Sequence, residues 1–217
     1  MHRLLWSPGV RAVTAAAAAS LLAAAAIIAA LAPQAAAAAG SGVTVAYPAH
    51  GSTYLEAPNT TVSLGPGTLV ATLNFAAATL TGSLTLPPAT VSFQEFGLIP
   101  VSATTEFIQA GPTTGKVNIQ TGAVTSTSKI ILKITSMRVA GLPVPIGNSC
   151  ASATPAVITL ASQPGFSVVS GGRLAGTYTV PAFAGCGFGG LLTPLINLAV
   201  AGPGNTITLI LGAGTAA

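Results

Sequence analysis

The side chains in this chain that could carry out chemistry are few. The sequence has 217 residues, with three glutamates, two histidines and no aspartate. His50 is followed by Ser52 and Glu56, and a histidine beside a carboxylate and a serine is a set that nucleophilic hydrolysis can use. Pro48 and Gly51 flank this histidine and favour a turn. We expect His50 to lie exposed in that turn, and we predict that the protein is not an enzyme.

Metal, cofactor and nucleic-acid sites need clusters that the sequence does not supply. After residue 39, a metal site would have to combine His50 with scattered glutamates, so neither a metal nor a cofactor is predicted. After residue 39, five lysines and arginines stand against three glutamates. Nucleic-acid binding typically uses a cluster of basic residues interleaved with aromatic residues, and the sequence has no such cluster. We therefore expect no nucleic-acid partner.

The two cysteines, Cys150 and Cys186, predict a disulfide. An even number of cysteines in an exported chain most often forms disulfides. A Cys150–Cys186 bond would close a loop of about 36 residues and would stabilise the fold by about 3.5 to 4 kcal/mol in the chain-entropy model. The alternative is a reactive thiol, but no basic side chain lies near either cysteine in sequence to lower its pKa.

The first 39 residues have the three parts of a secretory signal. Arg3 and Arg11 supply positive charge, residues 12 to 32 form an Ala/Leu/Ile run, and Pro33 precedes a tract of small residues. We predict a signal helix at residues 1–39 that is cleaved after Ala39, and a mature domain at residues 40–217 without a transmembrane anchor. The alternative is an uncleaved anchor, for which the apolar run is long enough. The expected location is outside the cell, either free or loosely associated with the envelope.

The mature part is predicted to be all-β. In residues 79 to 86, Leu80, Leu84 and Leu86 alternate with hydroxyl side chains, which is the period of a half-buried strand. Residues 68 to 75 and 129 to 139 alternate in the same way. Further candidate strands are residues 90–94, 98–109, 115–120, 156–161, 174–180, 195–200 and 205–211. The expected fold is an antiparallel sandwich or a barrel, between which alternation does not distinguish.

Three ordered matches predict an internal repeat, with chance similarity in a biased composition as the alternative. They relate residues 80–87 to 174–181, 98–100 to 192–194, and 110–112 to 201–203. The halves would be about 40–125 and 126–217, and they would meet in the polar run at residues 121 to 128.

Several short blocks carry a resemblance to other proteins. The blocks are residues 82–88 (GSLTLPP), 96–101 (FGLIPV), 111–115 (GPTTG), 125–129 (TSTSK), 176–181 (GTYTVP), 185–187 (GCG) and 201–206 (AGPGNT). In this order they resemble a group of small secreted proteins of high-GC actinobacteria, of uncharacterised function. The resemblance implies a secreted β-rich domain with a disulfide, and it supplies no catalytic residue.

Two functions follow from these expectations. The first is a structural or interaction role at the cell surface or outside the cell, with a component of the cell envelope as partner. The second is a carrier of a lipid or another apolar ligand, in which small inward positions such as Ala71, Gly82 and Gly176 leave space inside the domain. The alternative is that these positions permit tight bending or close packing of the strands. A large closed cavity would favour the carrier, and a filled core would favour the structural role.

Overall fold

Fourteen β-strands and one short α-helix make up residues 42–217, the part of the chain that the computed structural model describes. The predicted signal helix at residues 1–39 lies outside the described residues. The strands in chain order are β1 (Val43–Leu55), β2 (Thr60–Asn74), β3 (Thr79–Thr85), β4 (Ala89–Glu95), β5 (Ile99–Gln109), β6 (Thr113–Val117), β7 (Val124–Val139), β8 (Leu142–Pro143), β9 (Ala151–Ser152), β10 (Ala156–Ser162), β11 (Gly172–Val180), β12 (Phe183–Ala184), β13 (Gly202–Leu211) and β14 (Thr215–Ala216). The helix is α1 (Thr193–Val200), and a 3-10 turn at Phe188–Gly190 precedes it.

Eight of the strands close into an antiparallel barrel. Their order around the barrel is β7, β10, β11, β13, β1, β2, β3, β6 and back to β7. Strand β7 closes the ring because its first half pairs with β6 on one side and with β10 on the other. The second half of β7 pairs with β5, and β5 pairs with β4. The prediction of an all-β fold is confirmed, and the architecture is the barrel.

Alternating side chains give the barrel its apolar interior and its polar outer face. Ile130, Leu132 and Ile134 of β7 are buried inside, whereas Lys129 is exposed outside. Strand β3 likewise buries Leu80 and exposes its threonines. Each strand therefore contributes one apolar face to a shared interior, which is the arrangement that period two permits.

The segment between β5 and β6 leads from the outer strands into the barrel, and both strands pair with β7. The N–H of Ala110 still donates to the carbonyl of Lys129 in β7 at 2.7 Å, and the pairing is interrupted after it. The side chain of Gln109 bridges to β3 beside this interruption. Its amide nitrogen donates to the carbonyl of Gly82 at 3.2 Å, and its side-chain oxygen accepts from the backbone N–H of Leu84 at 2.9 Å. The glutamine thus supplies contacts between the strands that the backbone ladder does not make here.

Two regions differ from the sequence-based expectations. His50 is exposed as expected but lies inside strand β1, paired with Ile210, and not in a turn. Residues 195–200, expected to be a strand, belong to helix α1. Their apolar run does not alternate, so it fits a helix as well as a buried strand, and Pro194 in the first turn is compatible with a helix start.

The barrel has two different ends. At the loop end, the connection between β10 and β11 (residues 163 to 171) packs Phe166 and Val168 against Leu73, Leu80 and other interior residues. At the helix end, α1 and the segments around the cysteines cover the interior. The predicted repeat of residues 40–125 and 126–217 stays a prediction. Its proposed junction at 121 to 128 is not a linker, because five of these eight residues lie in β7.

Candidate functional site

The residues that could have formed a catalytic site lie apart. His50 is on the outside of the barrel wall, and Glu56 is exposed beyond the end of the same strand. Six residues of extended chain separate them, which corresponds to about 20 Å. Within residues 42–217, no group of three His, Cys, Asp or Glu side chains is placed to hold a metal ion.

The predicted disulfide is present, and it organises the helix end. Cys150 and Cys186 are fully buried, with an S–S distance of 2.04 Å and a Cα–Cα distance of 4.2 Å. Backbone groups of both cysteines make further links. The carbonyl of Cys150 accepts from the N–H of Ile134 in β7 at 2.9 Å, and the carbonyl of Cys186 accepts from the N–H of Leu192 at 3.0 Å. The crosslink therefore ties the segment that leads into α1 to the wall of the barrel.

Helix α1 is held on the barrel by one buried face and one side chain. Ile196 is buried, and Leu192 and Val200 pack against the same core. Asn197 pairs with the backbone of Phe183: its side-chain oxygen accepts from the N–H at 2.6 Å, and its side-chain nitrogen donates to the carbonyl at 3.2 Å. These contacts fix both the position and the rotation of the helix.

A cleft of about 140 Å³ separates α1 from the ends of β4, β5 and β7. Apolar side chains line it: Phe93, Phe96, Ile99, Val101, Ala103, Ile134, Met137, Val139, Leu195, Ile196, Ala199 and Val200. Among the described residues that line the cleft, Glu95 alone is charged. A site with this lining can bind hydrocarbon by burying it, and it offers no set of groups for acid–base or nucleophilic chemistry.

Exposed apolar side chains surround the cleft. On the helix side, Leu191, Leu195 and Leu198 recur at helical spacing and point away from the core, and Leu198 is 71% exposed. On the strand side, the turn between β4 and β5 exposes Phe96 at 75% and Leu98 at 83%. We call this set, together with Ile99 and with Leu142, which pairs with Val139 of the cleft lining, the apolar rim.

The turn at Phe96 has an unusual backbone conformation. Phe96 has φ 52°, in the left-handed region that non-glycine residues seldom adopt, and Gly97 follows with φ 69°. The N–H of Leu98 donates to the carbonyl of Glu95 at 3.2 Å and closes this tight turn. The chain therefore keeps an exposed aromatic side chain at a position that glycine or asparagine would fill with less strain.

Two smaller cavities, lined by interior residues of the barrel, lie beside the cleft. One of about 70 Å³ shares Ala103, Ile134 and Val200 with the cleft. A second of about 50 Å³ shares Thr53 and Tyr178 with the first. The three spaces thus form a row in which neighbours share lining residues.

Thr53 and Tyr178, the polar residues that line both inner cavities, already have hydrogen-bond partners. The hydroxyls of Thr53 and Tyr178 lie 2.8 Å apart, and Thr53 also donates to the carbonyl of Thr206 at 2.8 Å. Burial raises the pKa of Tyr178 above its ordinary value, although the hydrogen bond with Thr53 acts in the opposite direction. The phenol stays neutral near pH 7, and the pair does not need a polar ligand.

Sequence reasoning identified the cysteines and missed the cleft. The missed residues come from the β4–β5 turn, the end of β7 and α1, which are remote in sequence. A local signal did exist, because Phe96 and Leu98 stand in a turn next to a glycine, where polar residues are usual.

No protein-family model, no curated protein and no solved structure matches this chain. Among residues 42–217, no helix has the length and apolar character needed to cross a membrane.

Proposed function

We propose that this protein is a non-catalytic exported domain with an interaction role at the cell surface or outside the cell, and that it acts through its apolar rim. One observation carries the proposal: helix α1 is apolar on the face that packs against the barrel and also on the face that points to solvent. A helix that is apolar all round is normally buried on all sides. The exposed face of α1 therefore fits a surface that a partner covers.

The interior of the barrel supports contact at the surface over transport of an enclosed ligand. The two inner cavities measure about 70 and 50 Å³. Pockets that enclose a drug-sized ligand measure roughly 300 to 1,000 Å³. A core filled to this extent was the expectation for the structural or interaction role, and it leaves the rim and the cleft as the place of contact.

The disulfide supports the exported location. Bonds of this kind persist in oxidising compartments and are rare in the cytosol. Cys150 and Cys186 are fully buried, which protects their bond from exchange with external thiols. A component of the cell envelope is accordingly the class of partner that we propose.

Site-specific photocrosslinking tests this function. The full-length gene is expressed in its host with p-benzoylphenylalanine in place of Leu198 on the rim, and the cells are irradiated. The matched control carries the same group in place of Val157, an exposed apolar residue on β10 outside the barrel. We expect a discrete crosslinked product from position 198 and none from position 157. Equal labelling at both positions, or none at either, would contradict an interaction at the rim.

A further inference from the structure

We infer that the cleft binds a single unbranched hydrocarbon chain of a lipid that lacks an anionic head group. This inference rests on the proposed function and names the partner that meets the rim. It draws on three properties of the cleft, namely its hydrogen-bonding capacity, its size and its charge.

Hydrogen-bonding capacity disfavours a peptide in the cleft. The walls are side chains of β4, β5 and β7, and the backbone of the central strand β5 is paired on both sides, with β4 and with β7. An extended peptide would bury its own N–H and C=O groups against Phe93, Val101 and Met137 without partners, which is costly. A hydrocarbon chain has no such groups to satisfy.

Size disfavours a helix or a bulky ligand. A helix with its side chains is about 10 to 12 Å across, which a cleft of about 140 Å³ does not admit. An apolar cavity of about 150 Å³ in a protein is known to stay dry and to take up a benzene-sized hydrocarbon. The cleft is therefore wide enough for a slender chain. The end of the chain would point toward the adjoining cavity, which shares Ala103, Ile134 and Val200 with the cleft.

Charge selects the head group. Glu95 is half-buried and faces the cleft near its mouth. Its carboxylate disfavours a second negative charge at the place where a head group must remain in water. The nearby cation, Arg138, lies on the outer face of the sheet and donates to the carbonyl of Gly141 at 3.2 Å. An alcohol or ester head group fits this mouth better than a carboxylate or a phosphate.

Methionine labelling provides a direct readout of the cleft. The sequence has two methionines, Met1 and Met137, and Met137 lines the cleft. The protein produced from the full-length gene is labelled with [13C-methyl]methionine and titrated with 1-decanol below its aqueous solubility. The Met137 signal is assigned from Met137→Leu. We expect a saturable shift of the Met137 signal with decanol, and affinity for decanoate lower by about fivefold, the factor for two like charges about 4 Å apart in water.

Matched variants decide whether the shift reports the cleft. Ala199→Leu fills the cleft from the helix and should abolish the shift, and Ile99→Trp fills it from the strand side if the first variant does not fold. Val157→Leu, on the outside of the barrel, should leave the titration unchanged. Glu95→Gln should bring the affinities for decanol and decanoate together.

Three results would overturn the inference: no shift at Met137, an equal shift in the filled variants, or tighter binding of decanoate than of decanol. Sedimentation with phosphatidylcholine vesicles without a shift at Met137 would also overturn it. That last result would keep the proposed function, because the rim would then be the contact and the cleft would not. Absence of a rim-specific photocrosslink from Leu198 would instead remove the proposed function itself.

Discussion

The two ends of the barrel close the same apolar interior in different ways. At the loop end, residues 163 to 171 turn Phe166 and Val168 inward against Leu73, and the hydroxyl of Tyr47 donates to the carbonyl of Val168 at 2.6 Å. Apolar side chains that remain exposed there, such as Ile119, are scattered on separate loops, which is normal for a protein surface. One short loop suffices to close this end.

The helix end uses far more structure and yet leaves more apolar surface exposed. A disulfide, a helix and the Asn197 anchor converge on it, but the rim and the cleft remain open to solvent. The exposed apolar surface at the helix end therefore does not result from a shortage of covering structure. The covering elements themselves carry it, which is the expected arrangement for a binding surface on a rigid support.

Removing the disulfide should have the largest effect, and it should affect the two ends of the barrel differently. The double variant Cys150→Ala/Cys186→Ala is expected to lose about 3 to 4 kcal/mol of unfolding free energy, because the unfolded chain gains the entropy of an open loop. Denaturant unfolding measures the loss. Amide hydrogen exchange should show protection falling first in α1 and β12, while β1 and β2 beside Tyr47 keep theirs. A uniform loss at both ends would contradict the assignment of the crosslink to the helix end.

Replacing Asn205 should have the next largest effect on stability. Its side chain is almost fully buried; it donates to the carbonyls of Gly202 and Tyr178 at 2.7 and 3.3 Å and accepts from the N–H of Glu56 at 3.1 Å. Asn205→Leu leaves these groups unpaired and should cost about 2 to 3 kcal/mol. Asn74→Leu is the matched control, because the side chain of Asn74 caps an exposed turn at Ala77. Thermal unfolding measures the loss of stability in both variants, and the loss should be much smaller in the control.

The strands and the disulfide could be predicted from the sequence, because their signals are local. Alternation marks β3 and β7, and the two cysteines permit one pairing. Strand β1 was missed because Pro48, His50 and Gly51 interrupt its pattern, and prolines and glycines are common in turns. In the barrel they are accommodated by a change of register between Ala49 and Gly51.

The cleft could not be predicted, because its walls meet only after the barrel closes. Met137, Phe96 and Ala199 are brought together by the register of β4, β5 and β7 and by the position of α1. That position in turn depends on the disulfide and on Asn197. No local pattern encodes contacts of this range, and the apolar run of α1 fitted a strand equally well.

Asn197→Ala should sharpen the comparison with a moderate effect. The variant removes both hydrogen bonds to Phe183 and leaves that backbone unpaired at the helix end, at a cost of about 1 to 2 kcal/mol. Because α1 forms one wall of the cleft, the free energy of decanol binding should fall by a larger fraction than the free energy of unfolding does. Methyl NMR at Met137 and denaturant unfolding measure the two effects on the same sample. Unchanged binding would show that the helix does not need this anchor to shape the cleft.

Tyr47→Phe is the corresponding change at the loop end. It removes the hydrogen bond to the carbonyl of Val168 and should cost about 1 kcal/mol. The cleft lies at the other end, so the decanol titration of Met137 should match that of the unaltered protein. A change in that titration would mean that the two ends are coupled through the interior, and the comparison between them would then fail.

Alkaline pH should produce the smallest effect, and it acts on both regions. Burial raises the pKa of Tyr47 at the loop end and of Tyr178 in the inner cavities above the ordinary value of 10.0. In the unfolded chain both phenols ionise near pH 10, whereas the folded barrel keeps them neutral to higher pH. Their contribution to stability is therefore complete below pH 10 and is lost as the pH rises from there through the folded-state pKa values.

Denaturant unfolding between pH 8 and pH 11.5 measures this loss, and the variants divide it between the regions. Tyr47→Phe and Tyr178→Phe should each be less stable than the parent protein at pH 8, because each loses a hydrogen bond. Each should also lose less stability on going to high pH, because it has one phenol fewer to ionise. If Tyr178→Phe keeps the full alkaline slope, that phenol already reaches water through the row of cavities, and the cleft is more open than its apolar walls indicate.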